Sequence, residues 1–305
     1  MQSGAVQSGT PAAAILQLPP LKFVATGGAT DCYREVSGPP GAPVVLLLHG
    51  IFATTTLNWL SAFTPLGKHF RVIAPDLSGH GSDAFARGSF TLDHRADDVA
   101  ALISVLRLEP VIVVGYSMGG VVAQQLARRH GARIAGLVLS GVDWGSRRYG
   151  RLARLIFPVV TELTLRLVYC QAAVVRLPVL WMRRQGGARR DASRRAALGV
   201  AAAGLGGHDP RALGAAVRDI TQLRSIDWLH EISVPTTVLV TQRDSLFPPA
   251  EQHRIGPGSG VRRRTCCGAA AEVRGRPGRS LPRTPLAYRA CGALSRRKGV
   301  RRCSD

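Results

Sequence analysis

Short, uninterrupted apolar runs recur along the chain at 44–48 (VVLLL), 72–74 (VIA), 111–114 (VIVV), 134–139 (IAGLVL) and 236–240 (TTVLV), each bounded by turn residues. Runs of this length without polar alternation fit parallel strands covered on both faces. The segments between them have a different period. Val99, Leu102, Ile103 and Leu106 fall at i, i+3, i+4 and i+7, one apolar stripe that predicts a helix over 91–108. A second helix is predicted over 118–130, with Gly131 as its stop. Strands alternating with helices specify an α/β fold, a doubly wound and mostly parallel sheet. Segments near 21–26 and 31–37 are candidate edge strands.

The alternation stops at 145. From there to 225 no strand pattern occurs, only helix-like stretches punctuated by Pro158, Pro178 and Pro210. A helical cap inserted between two strands of one sheet is therefore expected over 145–225, with the core formed by 21–144 and 226–255. Residues 1–20 read as a flexible leader. Residues 151–183 are mostly apolar, with Arg154, Glu162, Arg166 and Arg176 interspersed. That composition suits a cap whose inner face meets an apolar substrate, and it also suits a helix lying in a membrane interface. Beyond 255 neither period is found, and 256–305 reads as an aberrant basic tail.

Composition changes this picture only at its end. A chain of 305 residues, 46% apolar and 19% charged, can bury one large core. Its formal charge of +21 would ordinarily point to nucleic acid or an anionic membrane. Residues 254–305, however, contain fourteen Lys and Arg against two acids, +12, which leaves +9 on the other 253 residues. Four of the six cysteines (Cys266, Cys267, Cys291 and Cys303) lie in the same tail, and none has the C-x2–4-C spacing of a zinc site. No metal is expected. The start of the chain has no basic n-region, and no run of about 18 apolar residues lacks charge, so a cytoplasmic protein without a membrane span is expected.

The chemistry concentrates in VIVVGYSMGGVV, residues 111–122. Gly115-Tyr116-Ser117-Met118-Gly119 is G-x-S-x-G between a predicted strand and a predicted helix, where flanking glycines permit a sharp turn that lifts the serine hydroxyl above the sheet. With LLLHGIF at 46–52, APDLSGHGSD at 74–83 and VPTTVLVTQRDSLFPPAEQH at 234–253, the chain resembles the α/β-hydrolase family over roughly residues 21–255. The resemblance implies a serine hydrolase acting on a small ester or similar acyl substrate, with no cofactor and no specific nucleic acid. Ser117 would be the nucleophile, and the backbone N–H groups of Ile51 and Met118 the oxyanion hole. Asp244, after the last predicted strand, would be the triad acid, with Asp143, after the preceding strand, as the alternative acid. His49 and His80 are expected in structural roles, and Asp76 is expected to organise its turn through side-chain hydrogen bonds.

The resemblance also implies a histidine beyond one more helix and one more parallel strand, in the order Ser…Asp…His. After Asp244 the sequence contains only His253, nine positions on. A crossover between parallel strands takes about a dozen residues or more. His253 is therefore expected to begin the helix after Asp244 and is a doubtful base. His69, His94, His130, His208 and His230 stand in helical or loop contexts without the required position. The tail's Arg, Gly, Pro, Ala and Cys are what a GC-rich coding sequence gives when read out of frame. On that reading the final helix, strand and histidine loop are replaced shortly after 255, leaving the preceding strand with an unpaired edge. Competing readings are a catalytically inactive hydrolase-fold protein and a native basic tail that binds nucleic acid or acidic lipid.

Overall fold

The computed structural model describes residues 17–26, 29–81, 90–142, 144, 151–170, 199, 204, 207–240, 249–252 and 270–273. An antiparallel pair, β1 (Leu21–Thr26) and β2 (Ala29–Val36), opens the fold. Alternation follows: β3 (Val44–Leu48), α1 (Thr55–Gly67), β4 (Arg71–Pro75), α2 (Leu92–Val105), β5 (Val111–Tyr116), α3 (Met118–His130) and β6 (Ile134–Ser140). Two helices, α4 (Arg151–Cys170) and α5 (Pro210–Gln222), stand between β6 and β7 (Thr236–Leu239), and a short α6 (Pro249–Gln252) precedes β8 (Ala270–Val273). The strands form one sheet in the order β1-β2-β4-β3-β5-β6-β7-β8. β3 to β7 run parallel, while β2 is antiparallel to β4 and β8 to β7.

The unbroken apolar runs have a direct physical cause. Leu46, Leu48, Val111, Val113, Leu137 and Leu139 pack with α2 and α3 on one face of the sheet. Val45, Leu47, Val72, Ile112, Val114 and Val138 pack with Trp59, Phe63 and Leu66 of α1 on the other. Because successive strand side chains point to opposite faces, burying both faces makes every position apolar. The doubly wound α/β fold expected from the sequence is the observed one.

Two expectations change. The described helix after position 244 is Pro249–Gln252, which begins before 253, so His253 does not begin it. The strand pattern also does not stop at 255. Ala270–Val273 (AAEV) pairs with β7, from Thr236↔Val273 to Leu239↔Ala270, so β7 does not have an unpaired edge on that side. AAEV gives no sequence signal, because alanine packs little on a pleated surface and four residues are too few for a period. The strand's direction matters more than its existence. Tyr116, Ser140, Leu239 and Ala270 share one end of the sheet, and Val273 lies beside Thr236 at the other. Val273, the last residue of β8, therefore lies at the end of the sheet opposite Ser117.

Candidate active site

Ser117 follows the last residue of β5 and is the N-cap residue of α3. A serine at that position ordinarily caps the helix with its side-chain oxygen. Ser117 makes no such bond, and its backbone lies at φ 51°, ψ −118°, a region that L side chains rarely occupy. The turn is fixed by its neighbours. Ser117 N–H donates to Ser140 O at 2.9 Å, continuing the β5–β6 ladder, and Ser117 O accepts from Gly120 N at 2.9 Å, starting the helix. A Cβ on Gly115 would lie 2.5 Å from Gly119 O, and one on Gly119 would lie 2.3 Å from Leu48 O. Both motif glycines are thus required by close backbone approach.

The loop after β3 sits beside this turn because Leu48 pairs with Gly115. A Cβ on Gly50 would lie 3.3 Å from Ser117 Cβ and 3.1 Å from the Tyr116 ring, and a Cβ on Gly141 would lie 3.1 Å from the ring's other edge. Gly50 is held at both ends: its N–H donates to Asn58 Oδ1 at 2.8 Å, and its carbonyl meets His49 Nδ1 at 2.8 Å. In a trans peptide the C=O and N–H point opposite ways. With the Gly50 carbonyl committed to His49, the N–H of Ile51 points away from that imidazole. Met118, as the first helical residue, offers an N–H that no carbonyl of its own helix can reach.

His49 cannot serve as a base. Its Nε2 accepts from Leu77 N–H at 2.9 Å, so the proton is on Nδ1, facing Gly50 O, and complete burial holds the ring below its ordinary value of about 6.5. It is the first of three imidazoles in tilted and edge-on contact. The His80 ring lies 5.3 Å from it, and the His208 ring 5.2 Å from His80. His208 Nδ1 accepts from Gly81 N–H at 3.1 Å, and the next residue, Asp209, donates its N–H to Gly79 O at 3.0 Å. The loop after β4 is in this way fastened both to the Gly50 loop and to the start of α5. Asp76 Oδ1 accepts from Thr55 N–H at 2.7 Å, so its side chain does organise this region, across to α1. Buried Arg95 completes the joint, donating to Ser78 O, Phe90 O and Ala212 O. Burial lowers its guanidinium to about 10, which leaves it charged at neutral pH.

Of the residues singled out by sequence, the structure brings together Ser117, Met118 and the Gly50–Ile51 peptide. Asp143, Asp244 and His253 lie outside the described residues. Among the described residues no hydrogen bond joins Ser117 to a histidine. His130 pairs with Asp97 at 2.8 Å on the surface, next to the Arg129–Asp97 ion pair. Sequence reading missed Asn58, which fixes Gly50, and the role of His208, which completes the row of three imidazoles. Both act through contacts distant in sequence, and no local pattern marks them.

Residues 43–155 match the family model described as the alpha/beta hydrolase fold. An uncharacterized protein of Mycobacterium tuberculosis is 36% identical over 165 residues, 53% of this chain and 44% of that one. A bifunctional esterase/perhydrolase of Acinetobacter calcoaceticus is 34% identical over 119 residues, 38% of this chain and 43% of the relative. The chain thus spans less than half the length of these relatives. The enol-lactonase of Burkholderia xenovorans superposes with a TM-score of 0.58 at 23% identity, over 75% of this chain and 85% of that one. Strand order, the turn at Ser117 and the match over residues 43–155 show that the chain has the α/β-hydrolase fold.

Proposed function

We infer that the chain is a serine hydrolase scaffold for an ester or similar acyl substrate, and that in its present form it lacks a general base. The observation that supports the nucleophile is Ser117 itself, a non-glycine residue at positive φ whose hydroxyl does not cap the helix it begins. Strain of that kind is kept where a surrounding structure over-determines it, as at a reacting group. In this reading the Ser117 hydroxyl attacks the acyl carbon. The N–H groups of Met118 and Ile51 stabilise the oxyanion as it develops; they are fixed before reaction by the helix start and by the His49–Gly50–Asn58 bonds. Asp244 is the acid that would orient an imidazole, and Asp143 is the alternative. An apolar acyl group fits the mostly apolar composition of 151–183, and α5 lies over the loop after β4 as part of a cap. The sequence relative named for esterase activity supports the reaction class.

A serine hydroxyl is a weak nucleophile without an adjacent base. The family's histidine follows a parallel final strand, whereas β8 is antiparallel and itself ends at the far end of the sheet. The sequence has no histidine beyond His253. This direction of β8 also favours the second reading, a hydrolase-fold protein without turnover. Grafting a helix, a parallel strand and a Gly-His loop in place of 256–305 tests both. Turnover of a p-nitrophenyl ester should rise by about 10⁴ or more, and Ser117→Ala in the grafted chain should remove the gain. Equal turnover by that variant would take Ser117 out of the mechanism.

A further inference from the structure

Helix α4 packs against α5 through one side only. Pro158 is buried, and a Cβ on Gly214 would lie 2.8 Å from Glu162 Cβ. The opposite side is apolar and faces solvent. Leu152, Leu155, Ile156, Val159, Leu163 and Leu167 recur at three- and four-residue spacing, each 47–70% exposed. A surface helix ordinarily turns its polar side outward, and a continuous exposed apolar ridge marks an interaction surface. With 20 residues, α4 is about 30 Å long. It does not span a bilayer, because among the described residues no helix is long and apolar enough to do so. A helix apolar along one side and interspersed with basic residues lies flat in a membrane interface.

Charge selects the occupant of the ridge. Residues 151–195 contain ten arginines against Glu162 and Asp191. A second copy of the chain would set that positive charge against itself, whereas an anionic lipid surface neutralises it. We propose that α4 is a membrane-docking helix, its ridge over 152–167 entering the interface of an anionic bilayer, which the excess of arginine in this part of the sequence attracts. The proposal is independent of the chemistry at Ser117.

Co-sedimentation of the full chain with vesicles of phosphatidylglycerol and phosphatidylcholine in equal parts tests it, with pure phosphatidylcholine vesicles in parallel. Binding should be strong to the mixed vesicles, weak to the neutral ones, and reduced by salt. Leu155→Glu with Leu163→Glu should lower binding to the mixed vesicles by about tenfold or more with unchanged far-ultraviolet circular dichroism. If the glutamate variant misfolds, Leu155→Ser with Leu163→Ser gives the same comparison with no added charge. Absence of binding to anionic vesicles would overturn the proposal. So would equal binding by the folded variants, which would place binding in the basic tail that they retain. Loss of a concentration-dependent dimer in the variants, without vesicle binding by either chain, would instead make the ridge a contact between copies.

Discussion

Gly119 shows how tightly the residues around Ser117 are constrained. A methyl group there would lie 2.3 Å from Leu48 O and 2.6 Å from His49 O, both backbone atoms that cannot step aside. Gly119→Ala should therefore destabilise the fold by about 2–3 kcal/mol, as overpacking against main chain does. Urea unfolding reads this, and a change within about 0.5 kcal/mol, the scatter of an ordinary surface substitution, would show that the turn has slack. In a chain with its histidine restored, Asp244→Asn should cost about 10⁴ in kcat by analogy with the serine-protease triad. A larger loss from Asp143→Asn would transfer the role to Asp143. At this scale the sequence is most informative where function resides in one backbone turn. Gly115, Ser117 and Gly119 are legible because the turn needs those residue types at that spacing. Asn58, Tyr116 and His208 are not, because their roles arise from neighbours far away in the chain.

Among the elements, the joint between α5 and the core gives a pH signature. His80 and His208 are buried; burial, with positive neighbours, pushes both below their ordinary value, His208 to about 4. Arg95 and Asp76 are the other charged groups nearby, and they act in opposite directions. An unfolded histidine takes its proton near pH 6.5, and the folded one only near 4, so the unfolded chain binds more protons between those values. Stability is therefore unaffected by this joint above pH 6.5 and falls as pH drops toward 4, by about 2 kcal/mol at pH 5 from His208 alone. Urea midpoints at pH 7.5 and pH 5 measure this. His208→Gln should flatten the dependence in part, and an unchanged slope would show that His208 takes its proton without cost. The elements themselves divide by length and composition. The central strands and α2 are legible because burial on both faces, or on one stripe, forces a periodic sequence over several residues. α1 begins with Thr55 and Thr56 and contains Pro65, all poor helix formers, and is held instead by Thr54 capping Leu57 N–H and by Thr55 bonding across to Asp76 and Pro75. β8 exists only through its pairing with β7.

For the whole molecule, the question is whether the chain past α6 still serves the site. The ladder from Leu239↔Ala270 to Thr236↔Val273 gives the sheet an eighth strand, yet an antiparallel one whose C-terminal residue, Val273, lies at the end of the sheet opposite Ser117. The basic character of 254–305, +12 in 52 residues, has a separate consequence. Truncation after 255 should lower heparin retention markedly, and binding to nucleic acid by the full chain should weaken steeply as salt rises. Sequence-selective binding that persists at high salt would contradict a purely electrostatic tail. The central claim, a nucleophile in place without its base, is tested most directly by the rate at which a fluorophosphonate probe labels Ser117 in the unmodified chain. The account predicts no rapid labelling, with rapid labelling gained when 256–305 is replaced by helix, parallel strand and Gly-His loop. Rapid labelling of the unmodified chain, lost in His253→Ala, would contradict it and make His253 the base.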